Sequence, residues 1–123
     1  MSKILIIEDE PDLVTVVKLR LEANGFEVLT AEDGEAGLRK IYEEKPDLIL
    51  LDILMPKMDG YEVCRRLKND PITAALPIVV ITASGLKDVE EKSYQSGADF
   101  VMRKPFEASE LLAKIDHYLG GRR

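Results

Sequence analysis

Five side chains suited to phosphate chemistry stand at the ends of four short apolar runs. Ile4 to Ile7 is followed by Glu8-Asp9-Glu10, Leu48 to Leu51 by Asp52, Ile78 to Ile81 by Thr82, and Phe100 to Met102 by Arg103-Lys104. Any one of these ends needs no function, because loops face water. Four ends that meet at one edge make a different case. Three carboxylates, Glu8, Asp9 and Asp52, repel when brought together, and one or more pKa values rise unless a cation is present. Oxygen donors favour a hard ion such as Mg²⁺, with Mn²⁺ able to substitute, over zinc, and His117 is the sole histidine, so a nitrogen-rich site has no ligands. Mg²⁺ keeps several waters and works beside phosphate oxygens. The Thr82 hydroxyl and the Lys104 ammonium then supply a hydrogen bond and a positive charge to a phosphoryl group next to the metal.

The source of that phosphoryl group is constrained by the first loop. Glu8-Asp9-Glu10-Pro11 stands where a glycine-rich phosphate loop would follow the first strand, so nucleoside triphosphate and dinucleotide binding are not expected. A carboxylate oxygen can itself attack phosphorus to give an acyl phosphate, which the metal and Lys104 would balance in charge. Asp52, at the end of the most buried-looking run, is the candidate nucleophile.

These residues converge only if the fold brings the four ends together. The apolar runs alternate with segments of helical period: Leu13/Val17/Leu21, Leu38/Ile41, Val63/Leu67, Val89 to Ser96, and Leu111/Leu112/Ile115/Leu119. Five βα units predict a parallel sheet covered on both faces, and uninterrupted apolar strands such as Leu48-Ile49-Leu50-Leu51 are what double coverage requires. Ligands of such sheets bind at the carboxyl edge. The punctuation agrees: Pro11 suits a first helical turn, Asn24-Gly25 a helix end, Asp59 with Glu62 a capping box, and Gly97 the end of the fourth helix, while Asn69 to Pro77 reads as a loop. Two features break local rules. Gly37 sits inside a helical pattern at a cost of roughly 1 kcal/mol relative to Ala, and the fourth helix has only Val89, Tyr94 and Ala98 as apolar anchors, which fits either an element at the low-stability end of the structure or a merely solvent-exposed helix.

Bulk properties set the class. A chain of 123 residues, 46% hydrophobic and 33% charged, fits one globular domain. A net charge of −6 argues against a nucleic-acid or anionic-membrane surface. Cys64 stands alone, which excludes an intrachain disulfide framework, and the first apolar run is too short for a signal peptide or membrane helix. The expectation is a soluble, cytoplasmic domain.

Taken together, these residues resemble the receiver domain of two-component response regulators over essentially the whole chain. Ile6-Ile7-Glu8-Asp9 resembles its acidic pair, Leu50-Leu51-Asp52-Ile53-Leu54-Met55-Pro56 with Met58-Asp59-Gly60 its phosphorylation segment, Ile81-Thr82-Ala83 its hydroxyl position and Lys104-Pro105-Phe106 its lysine motif. The resemblance implies a flavodoxin-like, doubly wound α/β fold with five parallel strands in the order 2-1-3-4-5, a receiver spanning residues 1–119 and a tail at 120–123. It implies that Asp52 is the phosphoacceptor, that Asp9 and Asp52 bind Mg²⁺ with the Leu54 carbonyl while Glu8 assists, that Thr82 and Lys104 contact the phosphoryl group, and that the bond before Pro105 is cis. Phosphate would come from a sensor histidine kinase or a histidine phosphotransfer protein, and the output would be a changed conformation that regulates a partner or effector domain. Phosphorylation-dependent dimerisation, and whether the receiver stands alone or belongs to a longer chain, stay open.

One position departs from the family pattern. Many receivers place Tyr or Phe three residues before the lysine; Val101 stands there, and Phe100 beside it is expected on the opposite face of the strand. The output route is then the loop after Thr82 or the fourth helix. His117, Cys64, Tyr61, Tyr94, Tyr118 and the pair Arg65-Arg66 read as surface, boundary or packing residues. Two rival functions are weighed. A phosphohydrolase acting through an aspartyl phosphate wants a second Asp two residues after the nucleophile, where Leu54 stands, and a flavin-binding electron carrier wants small residues where the acidic loop lies.

Overall fold

Side chains alternate along each strand, and the apolar residues separate into two cores accordingly. In the computed structural model, which describes residues 1–53, 58–83 and 87–120, the elements run β1 (Lys3–Ile7), α1 (Pro11–Ala23), β2 (Glu27–Ala31), α2 (Gly34–Glu44), β3 (Leu48–Asp52), α3 (Gly60–Asn69), β4 (Ile78–Ala83), α4 (Lys87–Ser96), β5 (Phe100–Lys104) and α5 (Ala108–Leu119). Ile4, Ile6, Leu48, Leu50, Val79, Ile81 and Met102 pack with Val17 and Leu21 of α1 and Leu111, Ile115 and Leu119 of α5. Leu5, Ile7, Ile49, Leu51, Ile78, Val80 and Val101 face the other way, against Ile41 of α2 and Val63, Cys64 and Leu67 of α3. Phe100 joins the first core and Val101 the second, as alternation requires.

All five strands are parallel in the order β2-β1-β3-β4-β5, the predicted topology. The register sets Ile7 beside Leu51, Asp52 beside Ile81 and Thr82 beside Arg103, so the acidic loop, the Asp52 carboxylate and the Thr82 hydroxyl come out at one edge. Helix ends follow the predicted punctuation. Pro11 opens α1, Asn24 caps its end ahead of Gly25 at φ +88°, and Gly97 at φ +118° follows α4. Asp59 caps α3 by accepting from the Glu62 amide at 2.9 Å, but the Glu62 carboxylate turns to Arg65 and Arg66 instead of completing a capping box. Gly37 has a packing reason: a Cβ there would fall 2.4 Å from Ile7 Cδ1. Among the described residues, no helix is long and apolar enough to cross a membrane.

Candidate phosphoryl and metal site

The loop leaving β1 is organised by Glu8. Its Oε2 accepts from the backbone amides of Asp9 and Glu10 at 3.0 and 3.1 Å, which folds the carboxylate back over its own loop. Oε1 faces Lys104 Nζ at 3.0 Å, an ion pair whose alignment falls short of a hydrogen bond. Glu8 is only 2% exposed. Burial, then the adjacent Asp52, pushes its carboxyl up to about 7, with Lys104 and the Glu10 amide pulling the other way.

Asp52 ends β3 at 6% exposure, and its Oδ2 lies 3.7 Å from Lys104 Nζ. Lys104 ends β5, ahead of a Lys104–Pro105 bond that is cis, as the sequence predicts. Burial pulls the Lys104 ammonium down, but the Glu8 contact and the negative charges of Asp52, Glu8 and Glu10 outweigh it and leave its pKa raised. Carboxylate oxygens of Glu8, Asp9 and Asp52 all lie within 4.8 Å of one another, with Asp9 exposed at the mouth. Thr82 is 1% exposed, and its Oγ1 has no hydrogen-bond partner among the described residues. A buried hydroxyl without a partner costs about 1–3 kcal/mol.

The fold thus gathers Glu8, Asp9, Asp52, Thr82 and Lys104 at the carboxyl edge. The Leu54 carbonyl, with Met55 and Pro56 of the same motif, lies outside the described residues. Nothing in the sequence pattern pointed to the turn in which Glu8 binds the next two amides, because an acidic run reads equally well as three independent ligands. Equally hidden were the buried Ser93, whose hydroxyl donates to the Val89 carbonyl at 2.6 Å, and the ion pair of Arg103 with Glu90. Of the residues read as surface or packing, Cys64 is fully buried, His117 is exposed, and Arg65 and Arg66 pair with Glu62 on the surface of α3.

A family model described as the response regulator receiver domain matches residues 4–116. The chain belongs to that family. A receiver is a phospho-accepting switch of two-component signalling rather than a turnover enzyme, and membership decides against the phosphohydrolase and flavin-carrier alternatives. Among curated relatives, a DNA-binding dual master transcriptional regulator from Synechocystis is 41% identical over 115 residues, 94% of this chain and 48% of its own length. The chain spans about half the length of the curated relatives it matches. Among solved structures, a response regulator from Chloroflexus aurantiacus superposes with a TM-score of 0.93 at 34% identity, covering 97% of this receiver and 98% of that chain. The receiver domain of a sensor histidine kinase from Pseudomonas aeruginosa PAO1, with magnesium coordinated in its active-site cleft, superposes with a TM-score of 0.90 at 30% identity, covering 97% and 98%.

Proposed function

We propose that Asp52 accepts a phosphoryl group from a sensor histidine kinase or a histidine phosphotransfer protein, and that Mg²⁺ held by Asp9 and Asp52, with Glu8 assisting and the Leu54 carbonyl as a further ligand, is required for the transfer. The observation that carries this reading is the meeting of three carboxylates, an ammonium and a buried hydroxyl that has no partner among the described residues at one sheet edge. The donor set fits the ion: hard oxygen ligands, a cluster compact enough to share it, and an exposed mouth that leaves room for water and phosphate oxygens. When bound, Mg²⁺ supplies charge neutralisation to the acids and to the transferring phosphoryl group.

The chain's own residues do the rest. An Asp52 carboxylate oxygen attacks phosphorus, the donor's imidazole nitrogen leaves, and the new acyl phosphate carries its charge against the Lys104 ammonium. Thr82 donates its hydroxyl, which has no partner among the described residues, to a phosphoryl oxygen. Hydrolysis of the same acyl phosphate resets the switch, so the only reactions catalysed are the domain's own phosphorylation and dephosphorylation. A donor protein must approach this edge, and a groove lined by Leu13, the exposed Val16, Lys104, Pro105 and Phe106 opens beside it.

The receiver spans residues 1–119, works in the cytoplasm, and acts through a downstream partner or an effector domain such as the remaining half of the curated relatives provides. With a net charge of −6 it does not itself contact nucleic acid. Incubation with a small acyl-phosphate donor and Mg²⁺, followed by intact mass spectrometry, tests the core of this reading. One added phosphoryl group is expected on the native protein and none on Asp52→Asn. Labelling that persists in Asp52→Asn, or that ignores removal of Mg²⁺, overturns it.

A further inference from the structure

Helix α4 meets strand β5 at two matched points. Arg103 donates through Nε and Nη2 to Glu90 Oε2 at 3.2 and 2.7 Å, and the Val101 backbone N–H donates to Tyr94 Oη at 3.2 Å. Glu90 and Tyr94 are four residues apart on the helix, a rise of about 6 Å. Val101 and Arg103 are two apart on the strand, a rise of about 6.6 Å. Helix and strand run in opposite directions and keep step, so each bond reinforces the other. The lower of the two also covers an edge: β5 is the outermost strand, and Tyr94 takes an amide that has no neighbouring strand to bind.

The two ends of α4 are held differently. At its C-terminal end the chain turns through Gly97, where a Cβ would fall 2.3 Å from Lys68 Cγ, and Lys68 Nζ pairs with Asp99 Oδ2 at 3.3 Å. The Ala98 amide donates to the Ser93 carbonyl at 3.0 Å, and Ser93 is fully buried. That end is packed backbone. Toward the N-terminal end, Glu90 reaches Arg103 by side chains alone, and among the described residues there only the half-buried Val89 packs on the core. Arg103 is the register partner of Thr82 and the residue before Lys104, one peptide unit from the groups that contact the phosphoryl.

We propose that the Glu90–Arg103 pair is a latch: it holds α4 on β5 in the unphosphorylated protein, phosphorylation opens it, and α4 then swings about its Gly97 end. This rests on the Asp52 reading and gives it an output that needs no aromatic side chain at Val101. A phosphoryl group on Asp52 draws Lys104 away from Glu8, and the neighbouring Arg103 moves with the strand terminus. Both guanidinium nitrogens bond one oxygen, Glu90 Oε2, so a small shift of the strand end breaks both bonds together. The pair is exposed, hence weak, which suits a contact that must open under one added charge.

Hydrogen–deuterium exchange across residues 87–104 tests it, with native protein, Glu90→Gln, and the charge swap Glu90→Arg with Arg103→Glu, each before and after treatment with acyl phosphate and Mg²⁺. Before treatment, Glu90→Gln should exchange roughly two- to fivefold faster than native in α4 and at the Val101 amide, the range a surface ion pair supports, and the charge swap should return it to the native rate. After treatment, native α4 should rise to the Glu90→Gln level and the variant should change little. Equal exchange of native and Glu90→Gln before treatment overturns the latch, as does native α4 that is unchanged in phosphorylated protein. Intact mass of the same samples separates the two ideas. No added phosphoryl defeats the Asp52 reading and the opening step with it, while the untreated samples still decide whether the latch exists.

Discussion

Lys104 Nζ lies closer to Glu8 Oε1, at 3.0 Å, than to Asp52 Oδ2, at 3.7 Å, so the lysine is docked on Glu8 rather than on the proposed phosphoacceptor. The arrangement leaves Asp52 beside a positive charge and gives Lys104 somewhere to move from. It also makes Glu8 the group whose protonation reports on the site, since burial and Asp52 hold its pKa at about 7.

The sign of the resulting pH dependence follows from linkage. A carboxyl whose folded-state pKa is raised takes up a proton on folding, so its contribution to stability is complete below the ordinary value of 4.5 and is lost as pH rises through about 7. Metal-free protein should therefore lose melting temperature between pH 5 and 8, as flagged by a scan at roughly one-unit steps. Added Mg²⁺ binds the ionised cluster, releases the Glu8 proton and should raise the melting temperature more at pH 8 than at pH 5. Glu8→Gln should flatten the metal-free curve. A melting temperature that rises from pH 5 to 8 in metal-free native protein but not in Glu8→Gln would contradict the assignment.

Thr82→Val separates folding from function at one atom. The swap keeps the shape but removes a buried hydroxyl that has no partner among the described residues, so stability to urea should hold or rise by up to about 1–3 kcal/mol. Labelling by acyl phosphate should slow by about tenfold, the worth of one hydrogen bond to a charged oxygen. Loss of stability with unchanged labelling would make Thr82 a structural residue instead.

Much of this was legible from residue order because parallel topology converts order into position. Uninterrupted apolar strands and the residues that end them fixed the sheet, its covered faces and the convergence of Glu8, Asp9, Asp52, Thr82 and Lys104. What stayed hidden depends on distances that no periodicity carries. Glu8 binding the Asp9 and Glu10 amides is a matter of loop dihedrals. Glu90 and Arg103 are thirteen residues apart on different elements, and they meet only because α4 lies against the outer strand. The apolar residues of α4 did not show that Tyr94 and Glu90 also tie it to β5 through polar atoms.

Cys64 offers a check on the second core. Burial pushes its thiol up to about 12 from an ordinary 9.0, so at pH 8 the native protein should resist a disulfide reagent that reacts at once in urea. The raised value favours the protonated fold: the contribution is complete below 9.0 and is lost as pH climbs toward about 12. Native protein should therefore lose stability faster than Cys64→Ala above pH 9, as read from urea midpoints of the two proteins side by side. Rapid native-state labelling at pH 8 would mean that α3 opens far more readily than its packing indicates.

Gly37→Ala sets two local effects against each other. Replacing a mid-helix glycine favours helix formation by about 1 kcal/mol, but the new methyl falls 2.4 Å from Ile7 Cδ1 and 2.9 Å from Ile7 Cγ1, and Ile7 is fully buried between β1 and α2. Overpacking of this kind costs about 1–3 kcal/mol, so a net loss of up to about 2 kcal/mol in urea unfolding is expected. Because Ile7 immediately precedes Glu8, the displaced strand end should also weaken Mg²⁺ affinity, measured by titration of the folded variant. Ile7→Val in the Gly37→Ala background shortens the clashing side chain and should recover part of both losses. A Gly37→Ala protein more stable than native would show that α2 can move off the sheet at no cost, and that helix propensity, not contact with Ile7, governs this position.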